Sequence, residues 1–257
     1  MTNFTVSFSL LNINYQNNNK NILNDISIDF TEKSIGVLGH NGSGKTTLMK
    51  ILSGITKPTS GKVEFDKKNL KHISDLDRAK NIGYVQQDRE YVIGFTLYEY
   101  VELGTFPNKN ILDFKNNLDS KVIDKALDIV GLLNRKDELV DNLSGGEMQI
   151  LRIARVLAQN TKVILFDEPT SNLDLKNAHK VSSLIKKLNS HGIQTIVTSH
   201  DFRILKDISD FLCLLKNGVI VDFGKTKDVL THENIINAFE LLPEHYSKID
   251  SNEFKDL

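Results

Sequence analysis

The chain has 257 residues, of which 40% are hydrophobic and 25% are charged, a composition typical of globular proteins. With 32 basic and 33 acidic residues the net charge is −1, so no overall basic field favours binding to nucleic acid. The single cysteine, Cys213, excludes an intrachain disulfide. These values favour one large globular domain and exclude collagen-like fibres, disulfide scaffolds and disordered tails.

The start of the chain and its apolar runs bear on membrane attachment. Residues 1–4 lack the basic and apolar regions of a signal peptide. No apolar run in the sequence approaches the roughly 18–20 residues that cross a bilayer. We therefore expect any link to a membrane to run through a partner.

The first predicted elements are short strands, a glycine-rich loop and a helix. Apolar and polar residues alternate over residues 4–10 and 26–30, which predicts two half-buried strands of an antiparallel sheet. The polar residues 17–21 form the turn between them. Residues 35–38 are an apolar strand that leads into glycines, and residues 46–53 have helical spacing.

A helical lobe is predicted between two strands of the main sheet. The strand over residues 82–85 is followed by residues 90–160, in which apolar residues have helical spacing. The apolar run at residues 163–166 then predicts a parallel strand that is covered on both faces. The remaining predicted elements are a helix over 175–188, a strand over 193–198, a hairpin of 211–215 with 219–223 around Asn217-Gly218, and a helical tail over 232–257.

A phosphate loop, residues 39–47, is predicted between the strand at 35–38 and the following helix. It reads Gly39-His40-Asn41-Gly42-Ser43-Gly44-Lys45-Thr46-Thr47 and matches the pattern G-x-x-x-x-G-K-[ST]. Glycines let the backbone approach phosphates closely, and a helix start directs unpaired N–H groups at an anion. Lys45 can reach the β- and γ-phosphates, and the Thr46 hydroxyl can ligate Mg²⁺. The loop therefore predicts nucleotide binding.

A pair of carboxylates follows the strand at residues 163–166. Asp167 and Glu168 come at the carboxyl end of that strand, where ligands bind in open α/β sheets. Asp167 would then lie beside the phosphate loop and could hold Mg²⁺, and Glu168 could polarise an attacking water. An exposed acidic pair at a strand end is common, so it is the glycine loop that favours the functional interpretation.

A third motif carries a resemblance to a known family. The segment Leu143-Ser144-Gly145-Gly146-Glu147-Met148-Gln149 is similar to the signature motif of the ATPase subunits of ABC transporters. The same residues fit a capping box, with Ser144 at the helix N-cap and Glu147 three residues later. A serine and two glycines at a helix start also form an anion-binding corner. In the family that it resembles, this corner closes on the ATP held by the opposite subunit.

Two further segments match the family in order. Gln87, in Tyr84-Val85-Gln86-Gln87, is similar to the glutamine that contacts the metal and senses the transmembrane partner. The choice between Gln86 and Gln87 depends on how the preceding strand aligns. The segment Ser171-Asn172-Leu173-Asp174 resembles the D-loop at the dimer interface, although Asp174 also fits a helix N-cap.

Two single residues complete the match. His200 corresponds to the histidine that contacts the γ-phosphate, and Tyr15 to the aromatic residue that stacks on adenine. The resemblance implies an active ATPase that uses ATP and Mg²⁺. Catalysis would fall to Glu168, His200, Gln87 and Lys45, and the metal ligands would be Thr46, Gln87 and Asp167.

The resemblance also implies the fold. We expect an α/β P-loop NTPase with a mixed sheet, an N-terminal antiparallel β subdomain and an inserted helical lobe. Residues 1–257 would form a single ABC ATPase domain. Its nucleotide-binding core would comprise residues 1–89 and 161–230, its helical subdomain residues 90–160, and its C-terminal tail residues 231–257.

The implied partners are a second copy of the chain, integral membrane permease subunits and, indirectly, a substrate-binding protein, with no nucleic acid. Residues 95–107 resemble a segment of the ATPases of iron-siderophore, haem and vitamin B12 importers, with Thr105 in place of their arginine. The expected location is peripheral, at the cytoplasmic face of the cell membrane.

Several alternatives remain at this point. Residues 95–107 could be a packing helix without information on the class, and zinc or manganese importers and exporters with separate membrane subunits are alternatives. A soluble ABC ATPase of DNA repair or translation would carry a long coiled coil or a second cassette with a basic linker, which this sequence lacks. Glu168 and His200 argue against a regulatory module without turnover.

Overall fold

The structure, a computed structural model, describes residues 6–87, 92–109 and 117–239. In these ranges the chain forms ten strands and nine α-helices. The strands are β1 (Phe8–Asn17), β2 (Lys20–Phe30), β3 (Ser34–Leu38), β4 (Ser60–Phe65), β5 (Lys68–Asn69), β6 (Ile82–Val85), β7 (Val163–Asp167), β8 (Gln194–Ser199), β9 (Phe211–Lys216) and β10 (Val219–Lys225). The helices are α1 (Lys45–Leu52), α2 (Asp75–Asn81), α3 (Leu97–Glu102), α4 (Asn117–Ile129), α5 (Gly145–Ala158), α6 (Leu175–Ser190), α7 (Phe202–Ile208), α8 (Thr226–Val229) and α9 (His232–Phe239).

The strands form two sheets. One is antiparallel, with strand order β2-β1-β4-β5, and the other has the order β10-β9-β3-β8-β7-β6. In the six-stranded sheet β9, β3, β8, β7 and β6 are parallel, and β10 pairs with β9 antiparallel. Because β8 lies between β3 and β7, the chain segments that follow these three strands meet at one edge of the sheet.

Two apolar cores cover the faces of the six-stranded sheet. Alternate residues of β7 belong to different cores, as the pleat of a strand requires. Ile164 and Phe166 pack into the core that joins the sheet to α3–α7, and Val163 and Leu165 pack into the core that contains α1 and the antiparallel sheet. This double burial explains why residues 163–166 form a continuous apolar run.

Between β6 and β7 lies the helical lobe, where α3, α4 and α5 pack against one another. Glycine is required at residue 104, because a Cβ there would overlap the carbonyl oxygen of Arg155 in α5. Thr105 is buried and its hydroxyl donates to the carbonyl oxygen of Glu102, 2.8 Å away. Both residues therefore hold the segment after α3 tightly against α5.

The fold class predicted from sequence is confirmed, with its mixed sheet, antiparallel subdomain and inserted helices. Of the first predicted strand, over residues 4–10, the structure shows β1 from Phe8 onwards, and Phe4 lies outside the described residues. Val6 is buried outside the strand, and its N–H donates to Oε1 of Gln194. The β9–β10 hairpin turns at Asn217-Gly218 as predicted, with positive φ at both residues.

Some elements are not predicted by the sequence pattern. Among them are β4, α2 and α7, which are six or seven residues long, and the shorter β5 and α8. Only two residues of β4 are buried, and none of α2, so their apolar periodicity is weak. The division into a core, a helical subdomain and a tail stays a prediction, and the tail beyond α9 lies outside the described residues. None of the described helices combines the length and the apolar character that crossing a bilayer requires.

Candidate nucleotide site

The phosphate loop connects the end of β3 to the start of α1. Gly44 is the N-cap of α1 and has a φ of 107°, and Gly42 has a φ of 85°. Both values lie in a region that is unfavourable for residues with a Cβ. The glycines therefore allow the sharp turn that presents the free N–H groups and positive dipole end of α1 to the loop.

Lys45 is held inside this loop. Its side chain is 5% exposed, and Nζ donates to the carbonyl oxygens of Gly39, at 2.8 Å, and His40, at 3.1 Å. Nζ also lies 3.0 Å from Oε1 of Glu168. The ammonium group thus has a fixed position beside the helix start, which suits a site for anionic phosphate.

A second loop residue presents an unpaired polar atom. Within the described part of the chain, the buried Oγ of Ser43 has no hydrogen-bond partner. Such an atom is costly unless a ligand or water completes it. With the Lys45 ammonium group and the N–H groups of α1, it forms a donor set that fits phosphate oxygens.

A cavity of about 450 Å³ opens beside the loop. This volume falls within the roughly 300–1,000 Å³ that ligand pockets occupy. Six of its ten lining residues come from the phosphate loop, and the rest come from β2 and from the ends of other strands. The lining residues are Lys20, Ile22, Asn41, Gly42, Gly44, Lys45, Thr46, Thr47, Gln87 and Glu168.

Asp167, the last residue of β7, is completely buried next to Thr46. Its Oδ1 accepts hydrogen bonds from the hydroxyls of Thr198, at 2.8 Å, and Thr46, at 3.2 Å, and its Oδ2 accepts one from Tyr84, at 3.1 Å. Burial raises the pKa of this carboxyl above its usual range, although the three hydrogen bonds oppose that shift. A bound cation would favour the ionised form.

The residues at this point fit a magnesium site. Mg²⁺ prefers oxygen ligands and keeps several waters, so one carboxylate and one hydroxyl beside the phosphates suffice. The Thr46 hydroxyl and the Asp167 carboxylate are already in contact. Gln87 lines the same cavity and adds an amide oxygen.

Glu168 has a strained backbone and two fixed side-chain partners. Its φ is 49°, in the left-handed region that costs energy for a residue with a Cβ. Its N–H donates to the hydroxyl of Thr198, at 2.9 Å, and its carbonyl accepts from the N–H of Ser171, at 3.1 Å. Nδ1 of His200 lies 2.6 Å from Oε2, so the carboxylate is held between Lys45 and His200.

Beside Glu168 opens a second cavity of about 290 Å³. It shares Asn41, Gln87 and Glu168 with the first cavity. The full lining is Asn41, Gln87, Glu168, Thr170, Ser171, Asn172, Ser199, His200, Asp201 and Ile204. Residues of the phosphate loop and of the D-loop segment therefore meet around Glu168, together with Gln87 and His200.

The signature corner, residues 143–147, forms the start of α5. Ser144 is the N-cap, and its hydroxyl and N–H both lie 2.9 Å from Oε2 of Glu147. Nη1 of Arg135 lies 2.5 Å from Oε1 of the same carboxylate. The N–H of Ser144 and the Arg135 guanidinium lower the pKa of Glu147 to about 2. The capping box predicted from sequence is therefore present.

The two glycines of the signature corner have different surroundings. A Cβ at Gly145 would meet open space, whereas a Cβ at Gly146 would overlap the side chain of Asn177 in α6. Asn177 in turn is fixed by Asp174, the N-cap of α6, whose Oδ1 accepts its N–H at 2.8 Å. Gly146 thus lets the start of α5 pack against the first turn of α6, and Gly145 stays accessible.

The predicted site residues differ in how they relate to the two cavities. Tyr15 does not line it, and its partly buried ring packs against the core of the antiparallel sheet. Nε2 of His40 lies 3.0 Å from Oδ1 of Asn217, which connects the loop to the β9–β10 hairpin. Gln87 lines both cavities and Gln86 neither, which favours Gln87 as the glutamine that would contact the metal. The signature residues Leu143, Ser144, Gly145, Gly146 and Glu147 also line neither cavity, and Leu173 of the D-loop packs against the core of the helical lobe.

Three residues that support the site are not identified by the sequence motifs: Tyr84, Thr198 and Arg135. A signal existed for Thr198, since it is the last residue but one of β8, the strand next to β7, and pairs in register with Asp167. Tyr84 lies on β6, the other neighbour of β7. No local pattern identifies Arg135, because its contact with Glu147 depends on the path of the chain before α5.

The fold and the site together define an ATPase of the P-loop class. The profile of the ABC transporter family matches residues 23–171. The chain is similar to the petrobactin import ATP-binding protein FpuC of Bacillus anthracis, at 34% identity over 80% of this chain and 76% of FpuC. It is also similar to the iron(3+)-hydroxamate import ATP-binding protein FhuC of Bacillus subtilis, at 32% identity over 86% and 82% of the two chains. A methionine import ATP-binding protein of Staphylococcus aureus, MetN 1, is 32% identical over 82% of this chain and 62% of MetN 1.

Solved structures of ABC transporters and their cassettes are also similar to this chain. A transporter described as an ABC transporter of metal-chelate type, in an inward-facing conformation, has a TM-score of 0.79 at 30% identity and covers 92% of this chain and 90% of its own. The dimeric bacterial ABC transporter cassette MJ0796 has a TM-score of 0.75 at 28% identity, over 85% of this chain and 98% of its own. The chain belongs to the ABC transporter family, as an ATP-binding subunit that hydrolyses ATP.

Proposed function

We propose that this chain is the ATP-hydrolysing subunit of an importer for an iron chelate (a siderophore or haem) or for cobalamin. In this proposal two copies close around two ATP and drive separate membrane subunits at the cytoplasmic face of the membrane. The observation that carries the ATP-hydrolysing role is the convergence of Lys45, Asp167, Glu168 and His200 around one pair of adjoining cavities.

Within one subunit, the residues divide the chemistry of phosphoryl transfer. Lys45 and the N–H groups of α1 hold the phosphates, and the Ser43 hydroxyl completes the donor set. Thr46, Gln87 and Asp167 would hold Mg²⁺, which neutralises charge on the phosphates when bound. Glu168 accepts a proton from the attacking water, and His200 fixes the orientation of its carboxylate at 2.6 Å.

The second half of the site would come from the other subunit. The signature corner lines neither cavity of its own chain, and Gly145 leaves its helix start open. A capped helix start with accessible N–H groups can bind the γ-phosphate of ATP held by a partner copy. The D-loop residues Ser171 and Asn172 line the cavity beside Glu168, where the partner would approach. Each active site is then complete only in the dimer, which couples hydrolysis to assembly.

The choice of an iron chelate or cobalamin importer has two supports. The relatives FpuC and FhuC are import proteins for petrobactin and iron(3+)-hydroxamate. Residues 95–107 resemble the corresponding segment of such ATPases, but Thr105 is buried and cannot present a charge as the arginine of that class would. Import of methionine is a second candidate, which the similarity to MetN 1 favours.

Reconstitution with membrane subunits tests this proposal. Candidate permease pairs for iron chelates, for cobalamin and for methionine would be inserted into liposomes with the purified chain, and ATP hydrolysis would be measured with each solute and its binding protein. We expect the iron-chelate or cobalamin system to stimulate turnover. Stimulation by nucleic acid alone, or full turnover of an isolated monomer, would contradict the proposal, and stimulation only by the methionine system would reassign its class.

A further inference from the structure

The carboxylate of Glu147 lies in the signature corner, where the proposed function places a phosphate of the partner's ATP. Oε2 of Glu147 accepts hydrogen bonds from the N–H and from the hydroxyl of Ser144, both at 2.9 Å. A negative charge at this point repels an incoming phosphate, and opposing like charges at an interface are costly. The corner therefore needs a compensating positive charge.

Arg135 provides that charge from outside α5. It lies in the short 3₁₀ turn Leu133–Arg135, and its Nη1 is 2.5 Å from Oε1 of Glu147. The two oxygens of the carboxylate thus have separate partners, Arg135 on one and Ser144 on the other. This arrangement keeps the carboxylate ionised while its charge is partly neutralised.

The guanidinium group is itself held in place. Nε of Arg135 lies 3.0 Å from both carboxylate oxygens of Glu138, and Nη2 lies 2.8 Å from one of them. This bidentate contact orients the guanidinium so that Nη1 points to Glu147. Lysine could replace the charge at this position but could not hold both carboxylates in this geometry.

We propose that Arg135 is a positioning residue for ATP-dependent dimerisation: it holds and neutralises Glu147 so that Ser144 and the start of α5 can receive the phosphate of the partner's ATP. The inference rests on the proposed function, because it assumes that the signature corner binds ATP held by a second copy. Arg135 acts through Glu147 and does not itself contact the nucleotide.

Dimerisation of a hydrolysis-deficient protein tests this role. In the Glu168→Gln background, analytical ultracentrifugation would give the ATP concentration at half-maximal dimerisation for Arg135→Gln, for Arg135→Lys and for Arg135→Gln combined with Glu147→Gln. We expect Arg135→Gln to raise that concentration at least about tenfold, because it leaves an uncompensated carboxylate at the interface. Arg135→Lys should show a smaller increase.

The combined variant separates charge compensation from a structural role. With a neutral amide at position 147 no compensating cation is needed, so we expect dimerisation to return to within about threefold of the parent protein. The defect of Arg135→Gln alone should also weaken at high salt, since added salt screens the repulsion. Lys136→Gln, which removes the neighbouring ion pair with Asp124, is the matched control and should leave dimerisation unchanged.

Each outcome decides the inference. A normal response of Arg135→Gln, or a combined variant that is as defective as Arg135→Gln while its unfolding temperature matches the parent, overturns the role of Arg135. If the Glu168→Gln protein itself forms no dimers with ATP, the proposed function fails and the inference fails with it. If Glu168→Gln dimerises with ATP and Arg135→Gln does not affect it, only the inference fails.

Discussion

Nζ of Lys45 and Oε1 of Glu168 lie 3.0 Å apart, and both side chains are 5% exposed. Such a buried pair fixes both groups, although the attraction between them must offset the desolvation of two charges. Incoming phosphates compete with Glu168 for the same ammonium group. Nucleotide binding should therefore release Glu168 from Lys45 and leave its carboxylate, still bonded to His200, free to contact water.

Replacing Glu168 by Gln tests this competition. A neutral amide cannot accept the proton of the attacking water, so we expect turnover to fall by about 10²–10⁴-fold. ATP should bind at least as tightly as to the wild type, since the amide competes less well for Lys45. Single-turnover hydrolysis and calorimetric titration with ATP measure the two effects.

The control for this substitution is Glu64→Gln, which removes a surface carboxylate paired with Lys62 in the antiparallel sheet. It should change neither quantity. Wild-type turnover in Glu168→Gln would exclude Glu168 as the general base, and much weaker ATP binding would show that Glu168 helps to hold the nucleotide.

The Tyr84 hydroxyl should tune the magnesium requirement. It donates to Oδ2 of Asp167, and Tyr84→Phe removes this bond without changing the ring. Loss of an outer partner of a metal ligand typically costs about 10–100-fold in metal affinity, and two other hydroxyls remain on Asp167, so we expect about tenfold. The Mg²⁺ concentration for half-maximal ATPase activity should rise, with little change in the rate at saturating Mg²⁺.

Tyr98→Phe in α3 is the matched control, because Tyr98 lines neither cavity. An unchanged Mg²⁺ dependence in Tyr84→Phe would mean that Thr198 and Thr46 alone position Asp167. An equal loss of rate at every Mg²⁺ concentration would instead indicate damage to the fold around β6.

Short-range chemistry explains which parts of the site can be predicted from sequence. The phosphate loop, the Asp167-Glu168 pair after β7 and the Asn217-Gly218 hairpin each depend on a few adjacent residues, so their patterns identify them directly. The double burial of β7 is also visible, because a continuous apolar run is its consequence. These features locate the nucleotide site to one edge of one sheet.

Contacts between distant segments could not be predicted in the same way. Tyr84 reaches Asp167 only because β6 pairs with β7, and the pattern does not give that strand order. Arg135 meets Glu147 because the chain turns before α5, and the bond between His200 and Glu168 needs the lengths of two connections. Each depends on tertiary geometry, which local periodicity does not encode.

The two glycines of the signature corner should respond differently to alanine. Gly146→Ala places a Cβ into the side chain of Asn177, so we expect a loss of stability of about 1–3 kcal/mol from overpacking. Gly145→Ala meets open space, and alanine favours a helix, so its stability should be unchanged or slightly higher. Thermal unfolding measures both effects.

ATP-dependent dimerisation should be impaired by Gly145→Ala, although this substitution leaves the stability unchanged. A methyl group at the open helix start obstructs the approach of a partner's phosphate, so Gly145→Ala in the Glu168→Gln background should dimerise poorly with ATP despite its normal stability. Dimerisation at the level of the parent protein would show that nothing approaches this face closely, and it would count against the proposed dimer.

The pH dependence of stability should reveal the capping carboxylate. The pKa of Glu147 falls to about 2 in the folded chain, chiefly through the N–H of Ser144 and then Arg135, from an ordinary value of 4.5. A lowered folded pKa contributes stability that is complete above pH 4.5 and is lost as the pH falls towards about 2. Since the Glu147 side chain is 31% exposed, the contribution should stay below about 1 kcal/mol.

Unfolding free energies of the wild type and Glu147→Gln, measured from pH 6 downwards in roughly half-unit steps, should therefore differ most near pH 6 and converge below pH 4.5. A difference that stays constant across this window would mean that the carboxylate does not remain ionised at the start of α5 in solution.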